Sequence, residues 1–419
     1  MNNPLEHDAI ARSGTPASTA PTASRSQPGW RAAAQRAAAV AAQFANDVDR
    51  DARFPAEAVD ALRRERLLSA MVPKAFGGPG LGVVEIGAIC ETLAQACAST
   101  AMIYAMHQIE IACIDKYGSS LPWQRALLAK VVEHQLLLAS ATSEENIGGN
   151  LRTSSCAIQI DGARFRIEKL APTISYGANA DGILVTARRT PESPAGDQVL
   201  IVVLKAETQL EKRGEWDSMG MRGTCSEGFR LVATGVEQQI LPTPFAEIAD
   251  QTMLPLSHTL WASVWTGVAS DAVNRASAFF RAQARSKPGS APPAGPRLAE
   301  AVGLLRMMQA RLAAGLEAAQ RVHETVDDAC RADTPLSAIL GFATDMNTLK
   351  TSLSNTALQV VQEVLMICGM AGYKNGTEYS VGRHLRDLYS APLMISNDRI
   401  AQNTANLLAV QRSVVSGDN

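Results

Sequence analysis

Near the C-terminus, "APLMISNDRIAQNTANLL" at residues 391–408 carries a single acid, Asp398. A carboxylate removes a proton from carbon at neutral pH only where a dry pocket raises its pKa, so the surroundings of Asp398 decide whether it does chemistry. On the other reading, Ser396 or Asn397 caps the last helix and Asp398 complements its N-terminal dipole. His258, in "LSHTLW", titrates near neutrality and could act as a base or hydrogen-bond a substrate carbonyl; a core histidine satisfied within the fold is its other reading. His107 and Glu110 in "MHQIEIACI" lie three apart on one helical segment, and His384 stands beside Arg386 and Asp387. One His with one Glu is too few for a metal site, so no metal is expected.

Glycines and short hydroxyls suggest a second kind of chemistry. In "ATSEENIGGN" (141–150), Gly148 and Gly149 can offer backbone N–H groups to an anion with no side chain in the way. Ser143 and, in "APTISYG", Thr173 and Ser175 are short hydroxyls, each of which could be satisfied inside its own strand or turn.

These residues must be positioned by long elements. From Trp30 to about Leu137 apolar residues recur at three- and four-residue spacing, as in "WRAAAQRAAAVAAQF" and "VVEIGAICETLAQACASTAMIYAMHQIEIACI", which predicts an N-terminal helical domain over 30–137. "PKAFGGPGLG" interrupts it as a turn. Over 138–241 the period becomes alternating: "SSCAIQID", "RFRIEKL", "GILVTARR", "QVLIVVLKA" and "EGFRLVAT" predict a middle β domain, barrel or sandwich. The helical period then returns over 242–412, broken at 286–296 and 368–382, and its long amphipathic helices suit a four-helix bundle. The fold class expected is therefore α+β and multidomain. Residues 1–29, rich in Ser, Thr, Pro and Ala, and residues 413–419 read as disordered tails.

Composition excludes several partners. Lys plus Arg number 39 against 41 Asp plus Glu, without charge runs, so no nucleic-acid footprint is present. The seven cysteines lie far apart with no C-x-x-C pair, which argues against disulfides and zinc and for small core residues in a reducing cytoplasm. The N-terminus has no apolar signal core, and no apolar run is long enough to span a bilayer, so a soluble cytoplasmic protein with no membrane partner is expected.

Five strings, in order, resemble the acyl-CoA dehydrogenase superfamily, in which a flavin lies between a β domain and C-terminal helices. They are "VPKAFGGPGLG" (72–82), "ATSEENIGGN" (141–150), "EKLAPTISYGANADGILVTAR" (168–188), "WDSMGMRGTCSEGF" (216–229), and "GMAGY" (369–373) followed by "GRHLRDL" (382–388). The resemblance implies FAD, or FMN if the protein is a monooxygenase. It places Ser143, Thr173 and Ser175 at the isoalloxazine edge or the phosphate, Gly148 and Gly149 at the pyrophosphate, and Asn397 as a further cofactor contact. Arg285 would reach the pyrophosphate of a neighbouring subunit's flavin, and Gly369 and Gly372 would complete the adenosine pocket from that neighbour, implying a homodimer or homotetramer.

The same resemblance exposes a departure. The family's catalytic glutamate stands nine residues beyond the Arg of its Arg-Asp pair, and here that count reaches Ile395; the rarer location falls at Ser257, followed by His258. An acyl-CoA dehydrogenase-like enzyme would oxidise an acyl thioester of coenzyme A or a carrier protein, passing hydride to flavin N5 and electrons to an electron-transfer flavoprotein. Its base would be Asp398 or His258. The alternative is a flavin-dependent monooxygenase that takes reduced flavin from a reductase, uses O2, and does not need the glutamate. A non-catalytic flavoprotein or scaffold is the third reading.

Overall fold

The computed structural model describes residues 29–145, 147, 150–286, 289, 292–324 and 336–411. The expected tails therefore lie, apart from Gly29, outside the described residues. Helix α1 (Gly29–Asp51) buries Ala33, Ala34, Ala37, Ala41, Ala45 and Val48 on one face. That small-residue stripe lets it lie close against α2 (Ala56–Arg64) and α3 (Val83–Ala94). The segment expected as one helix from Val83 is two: α3 ends at Ala94, Cys97 is extended, and α4 runs Ala98–Gly118. The carbonyl freed at Ala96 accepts from Arg383 Nη2 at 3.0 Å, so a distant guanidinium satisfies the break. Helix α4 is buried along most of its length, and α5 (Pro122–His134) leads into the sheets.

Strand β1 (Leu138–Ala141) lies parallel to β4 (Gly182–Arg188), Leu138 opposite Gly182, and β5 (Gln198–Leu204) pairs antiparallel with β4. The second sheet is antiparallel in the order β2 (Gln159–Asp161), β3 (Arg164–Ala171), β7 (Gly228–Val236), β6 (Thr208–Gly214). Its β3 alternates exposed and buried residues, as a half-covered strand must, whereas β4 and β5 are buried on both faces. The two sheets do not close into a barrel.

A short helix, α6 (Phe245–Ile248), and a π turn at Ala249–Met253 lead into α7 (Leu254–Ser286), which packs against α3, α8 (Gly295–Glu324) and α9 (Leu336–Cys368). Gly267 permits the close crossing with α3: a Cβ there would lie 2.5 Å from the Glu91 carbonyl oxygen. On α9 the stripe Met346, Leu349, Leu353, Ala357, Val360, Val361, Val364 is buried. Burying a large apolar side chain of this kind contributes about 1.5–3 kcal/mol. Two short helices, α10 (Met370–Tyr373) and α11 (Gly382–Leu388), and α12 (Asn397–Val410), which lies on α9, complete the helical layer.

The "SMGMRG" string is joined to the Arg-Asp helix by backbone contact. A Cβ on Gly220 would sit 2.0 Å from the Arg386 carbonyl oxygen, and Met221 N donates to Asp387 Oδ1 at 2.7 Å. Arg386 in turn clasps Asp49 of α1, one bond being 2.8 Å, so the three layers meet at this point. Cys90, Cys97, Cys113, Cys156, Cys225 and Cys368 are buried and unpaired, and Cys330 lies outside the described residues. Among the described residues no helix is long and apolar enough to cross a membrane, and no cluster of metal-ligating side chains occurs.

Candidate active site

A cavity of about 520 Å³ lies between α4, the sheets, the start of α7 and the segment 390–399. Its sheet side is a strip of hydroxyls. Ser143 Oγ donates to the Thr173 carbonyl at 2.8 Å, Ser175 and Ser226 Oγ lie 2.9 Å apart, and Thr224 Oγ1 donates to the Met221 carbonyl at 2.8 Å. Trp216 lies beside them, its Nε1 donating to the Met221 carbonyl at 3.1 Å. Thus Ser143, Thr173 and Ser175 line one wall together, and each also has a protein partner.

This strip is pinned from behind by a buried ion pair. Lys169 Nζ donates to Glu144 Oε2 at 3.2 Å and to the Thr186 carbonyl at 2.8 Å, with side chains 0% and 3% exposed. Glu144 also accepts from Ser154 Oγ at 2.7 Å and from the backbone N–H groups of Ser155 and Cys156 at 2.9 and 2.8 Å. Burial pushes the Glu144 carboxyl up, but the Lys169 charge and these donors outweigh it and hold the group below its usual range.

The α4 side is apolar with one exception. Met102, Met106, Ile109 and Glu110 share one face of α4, at helical spacing, and line the cavity. Glu110 is 2% exposed, and its Oε2 has no hydrogen-bond partner. Burial pushes its carboxyl up to about 8, the Ser140 side chain opposing this by a hydrogen bond. His107 points elsewhere: its Nε2 lies 2.6 Å from the Leu68 carbonyl, and Nδ1 accepts from Leu138 N at 3.0 Å. Those two bonds make it a structural link between α4 and β1.

On α7 the lining residues are Leu254, Ser257 and Trp261. His258, one residue past Ser257, is turned about 100° away by the helix. It is buried outside the cavity lining, near Asn347 and Lys350, and burial followed by the Lys350 charge pushes it down to about 3. An imidazole so placed is neutral and shielded, so it does not meet a ligand in this cavity. Trp261 Nε1, by contrast, is a buried donor without a partner beside the cavity.

The segment before α12 supplies Leu393, Met394, Ile395, Ser396 and Arg399. Ile395 lies on the cavity wall with φ +49°, a left-handed conformation uncommon for a β-branched residue. What holds it is Lys350, whose buried Nζ donates at 2.7 Å both to the Ile395 carbonyl and to Asn397 Oδ1. Asn397 also donates to Ser354 Oγ at 3.0 Å, so it faces α9 and does not line the cavity. Asp398 is exposed in the first turn of α12 and is likewise absent from the lining; Ser396 occupies the N-cap without a side-chain cap bond. The dipole reading of Asp398 fits this placement and the base reading does not.

Arg285 is exposed at the end of α7, Gly369 precedes α10 and Gly372 lies within it; none of the three lines the cavity. Gly369 has φ +54°, and a Cβ on Gly372 would lie 2.8 Å from Cys368 Cβ, so the two glycines have local structural reasons. Gly148 and Gly149 lie outside the described residues. Sequence reasoning weighed Glu110 only as a metal ligand and missed Trp261 and Arg399. The Met102, Met106, Ile109, Glu110 spacing was the available signal for the first.

The residues present fit a flavin ring: a hydroxyl strip with the Trp216 ring on one side and apolar side chains on the other. Ser143, Thr173, Ser175 and Trp216 would hold it.

Comparison with known proteins agrees with this architecture. Residues 27–133 match the acyl-CoA dehydrogenase N-terminal domain and residues 251–394 the acyl-CoA dehydrogenase C-terminal domain. The chain is 26% identical over 364 residues to cyclohex-1-ene-1-carbonyl-CoA dehydrogenase of Geobacter metallireducens, covering 85% of this chain and 90% of that protein. It is 25% identical over 257 residues to the probable FMNH2-dependent monooxygenase SfnC of Pseudomonas putida, covering 59% and 61%. The fold is shared with FMN-bound TdsC of Paenibacillus sp. A11-2 at TM-score 0.79 and 19% identity, over 90% of this chain and 96% of that one. With both flanking domains matched and the cavity lying where they meet the sheets, the chain belongs to the acyl-CoA dehydrogenase superfamily of flavoproteins.

Proposed function

We propose that the protein is a flavin-dependent monooxygenase that takes a largely apolar substrate, using FMN or FAD reduced by a partner flavin reductase. One observation carries this reading: the wall position at which a desaturating enzyme needs its carboxylate is occupied by Ile395, and neither Asp398 nor His258 lines the cavity. Isoleucine cannot accept a proton, whereas oxygenation consumes reduced flavin, O2 and substrate and yields oxidised flavin, water and product without a base at that place. When bound, the flavin would supply the electrons and the site of O2 activation. The chain's own part is to orient the ring through Ser143, Thr173 and Ser175 and to exclude water with Met102, Met106 and Trp261.

The test is anaerobic mixing of the oxidised holoprotein with a panel of acyl-CoAs, followed by turnover with reduced flavin under 18O2. No flavin bleaching in the first experiment and labelled product from an apolar sulfide or aromatic in the second are expected. Rapid bleaching by an acyl-CoA would overturn the reading.

Acyl thioester oxidation is the second reading, favoured by the 26% identity to a dehydrogenase over 85% of the chain. Among the residues lining the cavity the acid is Glu110, so that reading would assign the base to Glu110. It predicts bleaching by acyl-CoA that Glu110→Gln abolishes. The electron acceptor would then be an electron-transfer flavoprotein, and a homodimer or homotetramer remains part of either proposal.

A further inference from the structure

Glu110 is the exception on the otherwise apolar wall that α4 gives the cavity. An ordinary buried carboxyl is saturated by donors, as Glu144 is; Glu110 has Oε2 without a partner at the edge of a cavity large enough for a ligand. A buried polar group left unpaired is destabilising, and a ligand group entering the cavity removes that cost. The neighbouring Trp261 Nε1 is unpartnered in the same way and borders the same cavity. An apolar cavity edged by two unsatisfied polar groups suits a molecule that is mostly hydrocarbon with one polar end.

We propose that the Glu110 carboxyl grips the substrate by donating a hydrogen bond to the oxygen of a neutral carbonyl, thioester or sulfoxide, with the rest of that molecule lying against Met102, Met106 and Trp261. The proposal rests on the monooxygenase reading, in which this cavity is the substrate's place and Glu110 is not a base. Other ionisable groups near Glu110 do not supply a competing cation of the kind Lys169 gives Glu144. Tyr176 donates its hydroxyl to the Leu138 carbonyl at 2.9 Å, and burial keeps Cys113 a thiol. Arg399 borders the cavity from α12 and has an interaction partner of its own. Burial without a cation leaves the Glu110 carboxyl protonated below about 8, the state in which it can donate.

The test uses the oxidised, flavin-saturated protein with no reductant and two probes of matched shape, acetophenone and ethylbenzene. Binding is read by flavin absorbance and by tryptophan fluorescence. Below pH 8 the wild type should bind the ketone about tenfold more tightly than the hydrocarbon, the size of one hydrogen bond to a buried donor. Well above pH 8 that preference should vanish, because the carboxylate cannot donate. Glu110→Gln should keep the preference at both pH values and Glu110→Leu should lose it at both. An equal or absent response to the two probes in the wild type, or a preference that Glu110→Leu retains, overturns the proposal. Should Glu110→Leu not fold, the wild-type pH series and Glu110→Gln decide on their own. Because no turnover is involved, failure here is distinct from failure of the monooxygenase reading, which the anaerobic and 18O2 experiments decide.

Discussion

Glu144 and Glu110 are buried to nearly the same degree, 5% and 2% exposed, yet their carboxyls are pushed in opposite directions. Glu144 is held ionised by Lys169 and by donors from Ser154, Ser155 and Cys156 behind the hydroxyl strip, whereas Glu110 faces methionines and is pushed up to about 8. Burial is common to both; the partner is what differs. A saturated buried carboxylate organises the fold, and an unsaturated one at a cavity is held in reserve for a ligand.

The largest expected effect comes from breaking the saturated member. Lys169→Met strands an ionised Glu144 and should cost about 3–5 kcal/mol in urea denaturation, with flavin affinity falling as Ser143 loosens. Next is the pH dependence of stability. The folded pKa of Glu110 lies above its unfolded value of about 4.3, so its contribution is full below that value and is lost as pH rises toward about 8. Glu110→Gln should flatten that part of the profile; a curve unchanged by the substitution would mean that Glu110 has a partner after all.

Lys350 tests how the Ile395 segment is held. Lys350→Met leaves the Ile395 carbonyl and Asn397 Oδ1 without their donor and should cost about 1–3 kcal/mol. Burial pushes this ammonium down to about 8, so the wild type should gain stability from about pH 8 to 10.4 as the unfolded lysine alone holds its proton, and the variant should lose that rise. Smallest of all is Asp398→Asn. On an exposed first turn it should change stability by under about 1 kcal/mol and leave turnover unchanged. A collapse of turnover in that variant would restore Asp398 as the base.

Much of the fold was legible because its signals are local. The change from helical to alternating period at 138 and back after 241 is a property of neighbouring residues, and β3 and the α9 stripe show it directly. The interruption of the helix at residues 95–97 was not legible, since its carbonyl is satisfied by Arg383, far along the chain. The place of Glu110 at the cavity had only its spacing with Met102, Met106 and Ile109 as a signal, because α4 is buried on nearly every side and has no polar face against which one acid would stand out.

By itself the sequence determined the order of layers and put forward three hydroxyls of the strip, Ser143, Thr173 and Ser175. These follow from periodicity and from strings whose spacing is set within a few residues. Only the tertiary structure decided which side chains reach the cavity. Ser257 faces it and His258 does not, although they are adjacent, and Glu110 reaches it while Asp398 lies in solvent. Helical periodicity fixes the angle between residues on one helix but not the direction in which the helix is turned; packing against other elements sets that direction, and with it the chemistry of the site.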